Sequence, residues 1–304
     1  MASKELFTIP IPAAGAHPGG SIVCTTPAPR VYVLTWTSPR DNRLTSAFCG
    51  ALAAALDAVE IGPWPAGVLI TTSAVPRFYS NGLDLDTAIS TPGFFERELY
   101  PLWRRFLTYP MPTVALINGH CFAGGLMLAM HHDYRVYAAG AGAGAGAGQD
   151  AKGKGKGKKP LLCLNEVEFG MPLMAPMSAI FRLKTAPGVY RRLVLEAHRF
   201  DGPQALEAGL VDDVAADGDG AGAGLDAALR LVRDRGLAEK AAAGVYGLLK
   251  AEMYRESVAL LGAEDGSGGT AAFQAQTAAE KKRKAAGAKW FEEWKRSQGD
   301  KAKL

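Results

Sequence analysis

The chain has 304 residues, 48% of them hydrophobic, and a formal net charge of +4. That length and composition allow a large buried core, organised as one main domain with a smaller appended region. Much of the charge excess lies in two lysine-rich stretches, "KGKGKGKK" and "EKKRK", instead of across a folded face, which argues against a nucleic-acid-binding protein.

In chain order, "RVYVLTWTS" alternates and is rich in β-branched and aromatic residues, which predicts a strand. "RLTSAFCGALAAALDAVE" places apolar residues at helical spacing after a Thr-Ser start, so a helix follows. "AGVLITTSA" is a buried strand bounded by Gly and Pro, and "RFYSNGLDLD" is a turn centred on Asn-Gly. A helix through "FFERELYPLWRRFLTY", a strand "TVALIN", a glycine-started helix "CFAGGLMLAM" and a strand "DYRVYAA" continue the alternation. Strands alternating with helices predict a layered α/β core.

Residues 139–160, "AGAGAGAGAGQDAKGKGKGKKP" in essence, have no side chains able to build a core, and their lysines repel one another, which predicts a flexible surface insertion. "DGDGAGAG" near residue 220 reads as a shorter loop of the same kind. After the insertion, "LLCLNEVEFG" reads as a strand running into a loop, and "MSAIFRLK", "GVYRRLVLEAHRF" and "GPQALEAGLVDDV" as helices with turns. The division expected is a core over 1–214 and a helical region over 215–304.

Four cysteines, Cys24, Cys49, Cys121 and Cys163, are scattered with no CxxC pair and no His/Cys cluster at zinc spacing. A reducing compartment fits, and no metal site is expected. The first residues lack the apolar core of a secretory signal, and the first arginine is Arg30, against a mitochondrial transit peptide. No apolar run is long enough to span a bilayer, since "PTVALINGHCFAGGLMLAM" is broken by Asn118 and His120, so membrane insertion is not expected. The triplet Ala302-Lys303-Leu304 is similar to a peroxisomal address read by an import receptor, so the expected location is the peroxisome.

Two features bear on chemistry. A helix N-terminus carries unpaired N–H groups and a partial positive charge, and glycine there lets a ligand approach the backbone. Gly124 and Gly125 offer that, or they serve only tight packing. An Asn-Gly turn at Asn81-Gly82 could aim the N–H of Leu83 into a cleft, and two converging N–H donors stabilise an oxyanion.

"RFYSNGLDL", followed about forty residues later by "PTVALINGHCFAGGLMLAMHHDYRV" and then by "HRFDGPQALEAGLVDDV", resembles the crotonase superfamily, the enoyl-CoA hydratase/isomerases. The resemblance implies a spiral of ββα units with a helical C-terminal region used in trimer assembly, hence a homotrimer or hexamer. It implies an acyl-CoA thioester as substrate, with no separate cofactor, and an oxyanion hole from the N–H groups of Leu83 and Gly124. Asn81, Gly82, Gly125 and Met127 belong to the same substrate-binding motifs.

Hydratases of this family carry their first glutamate three residues after the oxyanion glycine, where this chain has Met127, and a thioether cannot activate water. The second glutamate, four residues before a glycine, corresponds to Glu166, and Asn165-Glu166 resembles the Asn-Glu pair of Δ3,Δ2-enoyl-CoA isomerases. Glu168 competes, because on an extended segment residues two apart share a face. The implied activity is a shift of a 3-enoyl-CoA double bond to position 2 with Glu166 as the single acid/base. The alternatives are a hydratase-like enzyme on a specialised acyl-CoA and a non-catalytic acyl-CoA-binding homologue. Arg40 and Arg43 are candidates for gripping coenzyme A phosphates, while His131 and His132 are expected to favour the C-terminus of their helix electrostatically.

Overall fold

The computed structural model describes residues 3–139, 159–215, 222–262 and 270–301. The Gly/Ala/Lys insertion over 140–158, the second glycine-rich loop over 216–221 and the Ala302-Lys303-Leu304 triplet lie outside the described residues.

Strands β1 (Lys4–Ile11) and β2 (Gly20–Ala28) form an antiparallel hairpin that sequence reasoning missed, and β2 pairs antiparallel with β3 (Val31–Thr37). Helix α1 (Ser46–Ile61) starts at Thr45, whose Oγ1 accepts from the Phe48 N–H at 3.2 Å. It buries Phe48, Leu52, Leu56 and Val59, the stripe its spacing predicts.

Three units then repeat one plan, each with a long strand, a short strand and a helix. The first has β4 (Val68–Ser73), β5 (Phe78–Ser80) and α2 (Leu85–Ser90), then a π-helical turn over Phe95–Leu99 that runs into α3 (Tyr100–Thr108). Next come β6 (Thr113–Ile117), β7 (His120–Phe122) and α4 (Gly124–Met130). The third has β8 (Tyr134–Tyr137), β9 (Leu162–Cys163), a 3₁₀ turn over Glu166–Glu168 and α5 (Ala175–Lys184). The long strand of each unit enters a seven-stranded sheet of order β1-β2-β3-β4-β6-β8-β10, closed at its edge by the two-residue β10 (Asp213–Val214) and parallel from β3 onward, and the short strands form a second sheet of order β5-β7-β9. The architecture is the spiral of ββα units with a helical C-terminal region that the resemblance implies.

Helices α6 (Pro187–Glu196) and α7 (Gly202–Glu207) lead to the two-residue strand β10 (Asp213–Val214), where the sequence suggested helix and turn. Then follow α8 (Ala223–Asp234), α9 (Leu237–Ala241), α10 (Tyr246–Met253), α11 (Arg255–Leu261) and α12 (Thr270–Lys301). Alternate residues of β3 and β6 serve two different cores. Tyr32, Leu34, Ala115 and Ile117 face the cluster that contains α1, α3 and α4, whereas Val31, Val33, Val114 and Leu116 face α8 and α9 through Ala227, Leu231 and Leu237. This explains why β6 reads as an apolar run from Val114 to Ile117. The packing also crosses residue 214, because α8 covers a face of the main sheet.

A buried ion pair ties the C-terminal helices to this frame. Asp133 accepts from the Thr113 N–H at 2.8 Å and from Lys250 Nζ at 2.8 Å, with side chains only 6% and 4% exposed. Burial drives the Lys250 amine below its ordinary pKa, and Asp133 pulls it back up. Removing one partner strands the other charge away from water. Lys250→Ala is therefore expected to lower the unfolding free energy by about 3 kcal/mol or more, checked by denaturant titration.

Candidate active site

The turn after β5 and the start of α4 touch through glycines. A Cβ on Gly82, whose φ is +83°, would sit 3.0 Å from the Gly124 nitrogen. One on Gly124 would sit 3.4 Å from the Leu83 nitrogen. Ala123 precedes α4 at φ +48° and ψ −125°, a backbone conformation that L-residues rarely adopt, so the turn into the helix is held against its local preference. Gly124 is the first helical residue and its N–H has no intrahelical acceptor. Among the described residues no backbone carbonyl accepts from the N–H of Leu83 or Gly124.

These groups open onto a cavity of about 350 Å³. Its lining brings together Arg43, Asn81, Leu83, Gly124, Met127 and Glu166 from the residues singled out in the sequence. Gly82, Gly125 and Arg40 do not line it. Gly125 has a packing role, since a Cβ there would lie 2.4 Å from the Ser80 carbonyl oxygen; Arg40 is exposed. Apart from Asn165 the remaining wall is apolar and includes Leu85, Phe95, Phe169 and three further methionines, Met171, Met174 and Met177. The first two come from the helix and turn after β5, and Met174 and Met177 cap and start α5. In the sequence these positions look like ordinary core residues until the chain is folded.

Glu166 is 8% exposed and its Oε2 has no hydrogen-bond partner among the described residues. Burial pushes its carboxyl up to about 7 from an ordinary 4.5. Its neighbour Asn165 also lines the cavity, with a buried Oδ1 lacking a partner. The expectation that Glu166 and Glu168 share a face fails, because residues 166–168 form a 3₁₀ turn instead of an extended segment. Glu168 points to the surface, where Arg199 grips both its oxygens at 2.8 and 2.7 Å and holds its pKa down. Met127 is buried in α4 on the same cavity, and among the described residues Glu166 is the only carboxylate in the lining.

The turn itself is braced by residues 41–44, a network that sequence reasoning missed apart from Arg43. Asn42 is fully buried at φ +52°; its Nδ2 donates to Ser73 Oγ at 2.7 Å and to the Phe78 carbonyl at 2.9 Å, and its Oδ1 accepts from the Ser38 N–H. The Asn81 N–H and Nδ2 both donate to Asp41, at 3.0 and 2.7 Å. An Asn in the left-handed region is the one local signal that could have flagged this segment.

The histidines are not charged helix caps. His131 and His132 are fully buried; each Nδ1–H donates to a carbonyl one turn back, at 2.7 Å to Met127 and 3.0 Å to Leu128. Burial lowers the His131 pKa to about 3 and pulls His132 far down as well, so both hold the end of α4 as neutral donors. Among the described residues no cluster of His, Cys, Asp and Glu could hold a metal ion, and no helix is long and apolar enough to cross a membrane.

A model of the family "Enoyl-CoA hydratase/isomerase" matches residues 28–150. The curated relative enoyl-CoA delta isomerase 2, peroxisomal, of Arabidopsis thaliana is 29% identical over 244 residues, spanning 77% of this chain and 92% of its own length. Enoyl-CoA delta isomerase 1, mitochondrial, of Homo sapiens is 28% identical over 60% of this chain and 56% of its own. The apo structure of an Mtb enoyl-CoA isomerase superposes with a TM-score of 0.61 at 26% identity, covering 80% of this chain and 98% of that one. Over residues 28–150 this chain is similar to the enoyl-CoA hydratase/isomerase, or crotonase, family.

The close packing behind the cavity makes a direct prediction. Gly125→Ala drives a methyl group into the Ser80 carbonyl and is expected to cost about 1–3 kcal/mol of stability, read as a lowered Tm in thermal unfolding.

Proposed function

We propose that this protein is a Δ3,Δ2-enoyl-CoA isomerase with Glu166 as its single acid/base and the N–H groups of Leu83 and Gly124 as the oxyanion hole. The observation that carries this reading is the buried Glu166 carboxyl, whose Oε2 has no partner among the described residues and which opens onto the same cavity as both N–H groups while Met127 stands where a second acid would be. The names of the relatives, enoyl-CoA delta isomerases, support the same activity.

In the proposed step, Glu166 removes a proton from C2 of a 3-enoyl-CoA thioester. The electron pair spreads over the thioester oxygen, C2 and C4, and the two N–H groups stabilise the charge on oxygen; one such donor is typically worth about 3 kcal/mol. The protonated Glu166 then returns the proton to C4. The double bond moves from position 3 to position 2, with no water consumed and no cofactor beyond the coenzyme A that the substrate carries. A carboxyl raised toward neutrality is a stronger base than an ordinary glutamate and still gives its proton back. The methionine-rich wall suits a flexible acyl chain.

The two-glutamate hydration of a 2-enoyl-CoA lacks its first carboxylate here. Peroxisomal location is supported by the relative whose name carries that word, against the human relative named mitochondrial. An amino-terminally tagged chain is expected to colocalise with a peroxisomal marker in cells, and a mitochondrial pattern would overturn that part of the reading.

The purified protein is expected to convert a 3-enoyl-CoA to the 2-enoyl isomer and to leave a 2-enoyl-CoA unhydrated. Glu166→Gln is expected to lose at least a hundredfold in kcat, and isomerisation that survives the substitution would defeat the base assignment. Because only the carboxylate can accept the C2 proton, kcat/KM is expected to rise with pH and level off above about 7. A flat profile between pH 5 and 8 contradicts Glu166 as the base.

A further inference from the structure

Arg43 was singled out in the sequence as a phosphate grip, yet its hydrogen bonds point inward to the turn that carries Leu83. Its Nη1 donates to the Leu83 carbonyl at 2.8 Å and to the Asn81 carbonyl at 3.1 Å, and its Nε donates to Asp41 Oδ2 at 2.9 Å. Between those two carbonyls lies that of Gly82, which accepts from the Leu44 N–H at 2.9 Å. Three successive carbonyls, at 81, 82 and 83, are thus drawn to residues 43 and 44.

The consequence follows from the planar trans peptide, in which N–H and C=O point in opposite directions. The Gly82 carbonyl and the Leu83 N–H belong to one peptide unit. Holding the carbonyl on Leu44 turns the N–H the other way, and fixing the carbonyls on both sides prevents that unit from rotating. Glycine at position 82, at φ +83°, has little rotational preference of its own, so the orientation has to come from outside the turn. Asp41 completes the brace by accepting from the guanidinium, from the Asn81 amide and, through its own carbonyl, from the Asn81 N–H.

We propose that Arg43 is a positioning residue for the reaction: its guanidinium pins the Asn81 and Leu83 carbonyls so that the Leu83 N–H is aimed at the thioester oxygen. This rests on the oxyanion-hole reading given above. A point charge does not replace the fork. Lysine carries no Nε–H to engage Asp41 while a second nitrogen spans two carbonyls, so Arg43→Lys fails where simple charge would suffice.

The test compares the parent with Arg43→Lys and Arg43→Gln in three measurements. The first is the kinetics with a 3-enoyl-CoA. Both variants are expected to lose roughly tenfold to a hundredfold in kcat, with KM changed less than about twofold, because the donor is misaimed while the cavity is intact. The second uses the same acyl group on pantetheine, which lacks the nucleotide phosphates; the loss in kcat is expected to persist. A KM effect that appears only with the full coenzyme A thioester and is partly rescued by lysine makes Arg43 a phosphate grip and overturns the proposal.

The third measurement is amide hydrogen exchange at Asn81 and Gly82, whose N–H groups donate to the Asp41 carbonyl and to Ser80 Oγ, and it needs no turnover. It is expected to speed up in both variants while exchange in the main sheet stays unchanged. Unchanged exchange in the turn overturns the brace whether or not the parent is active. Faster exchange in the turn of the variants, beside a parent that does not isomerise, supports the brace and counts against the isomerase reading instead. Arg43 is about a third exposed, so the fold is expected to survive both substitutions, and an unaltered Tm reports that directly.

Discussion

Everything about the cavity depends on one backbone contact, the approach of the turn at Asn81-Gly82-Leu83 to the first residues of α4. The one polar side chain in the two segments, Asn81, is committed to Asp41 at 2.7 Å, so the chemistry available at that wall is the chemistry of peptide N–H groups. Such groups act on a developing anion only when they are held still and kept from other acceptors. The contact is possible because Gly82 and Gly124 lack Cβ atoms: side chains there would stand 3.0 Å from the Gly124 nitrogen and 3.2 Å from Leu83 Cγ.

Holding the contact in place takes structure from well outside it. Gly125 lets α4 lie directly on the Ser80 carbonyl, and Asn42, buried in the left-handed region, joins the ends of β3, β4 and β5 through its side-chain amide. Neutral His131 and His132 close the far end of α4 with their ring N–H groups. The strained Ala123 is tolerated because its neighbours on both sides are fixed, its own N–H donating to the Cys163 carbonyl at 2.9 Å. The two sheets serve this arrangement: each ββα unit places a long strand in one and a short strand in the other, so the helix of each unit starts from the short sheet at the cavity.

Opposite the N–H groups, the same burial that makes the cavity apolar acts on Glu166. A carboxylate surrounded by Met127, Phe169 and Met171 loses hydration without gaining a cation, and its proton affinity rises. Glu168, two residues on, shows the contrast. It reaches solvent, pairs with Arg199 and is held as an ordinary anion. One backbone turn separates an acid/base candidate from a surface ion pair.

How far these features were legible in the sequence follows from their range. The strand and helix order, the glycine-started helix, the Asn-Gly turn and the loss of an acid at Met127 are local patterns, and the family motifs they compose pointed to Leu83, Gly124 and Glu166 by number. The hairpin of β1 and β2 was not legible, because β1 carries Pro10 and β2 carries Gly20 and Pro27, residues that read as strand breakers. Spacing alone did not separate Glu166 from Glu168: the family register pointed to Glu166, while the coiling of residues 166–168 that sends Glu168 to the surface is decided by packing. The role of Arg43 lies further still beyond the sequence. An arginine in a loop looks the same whether it faces a phosphate or two carbonyls forty residues away. Residue identity and short-range spacing set which groups this protein has to work with; only the tertiary contacts decide which of them meet, which way an N–H points and how much water a carboxylate keeps.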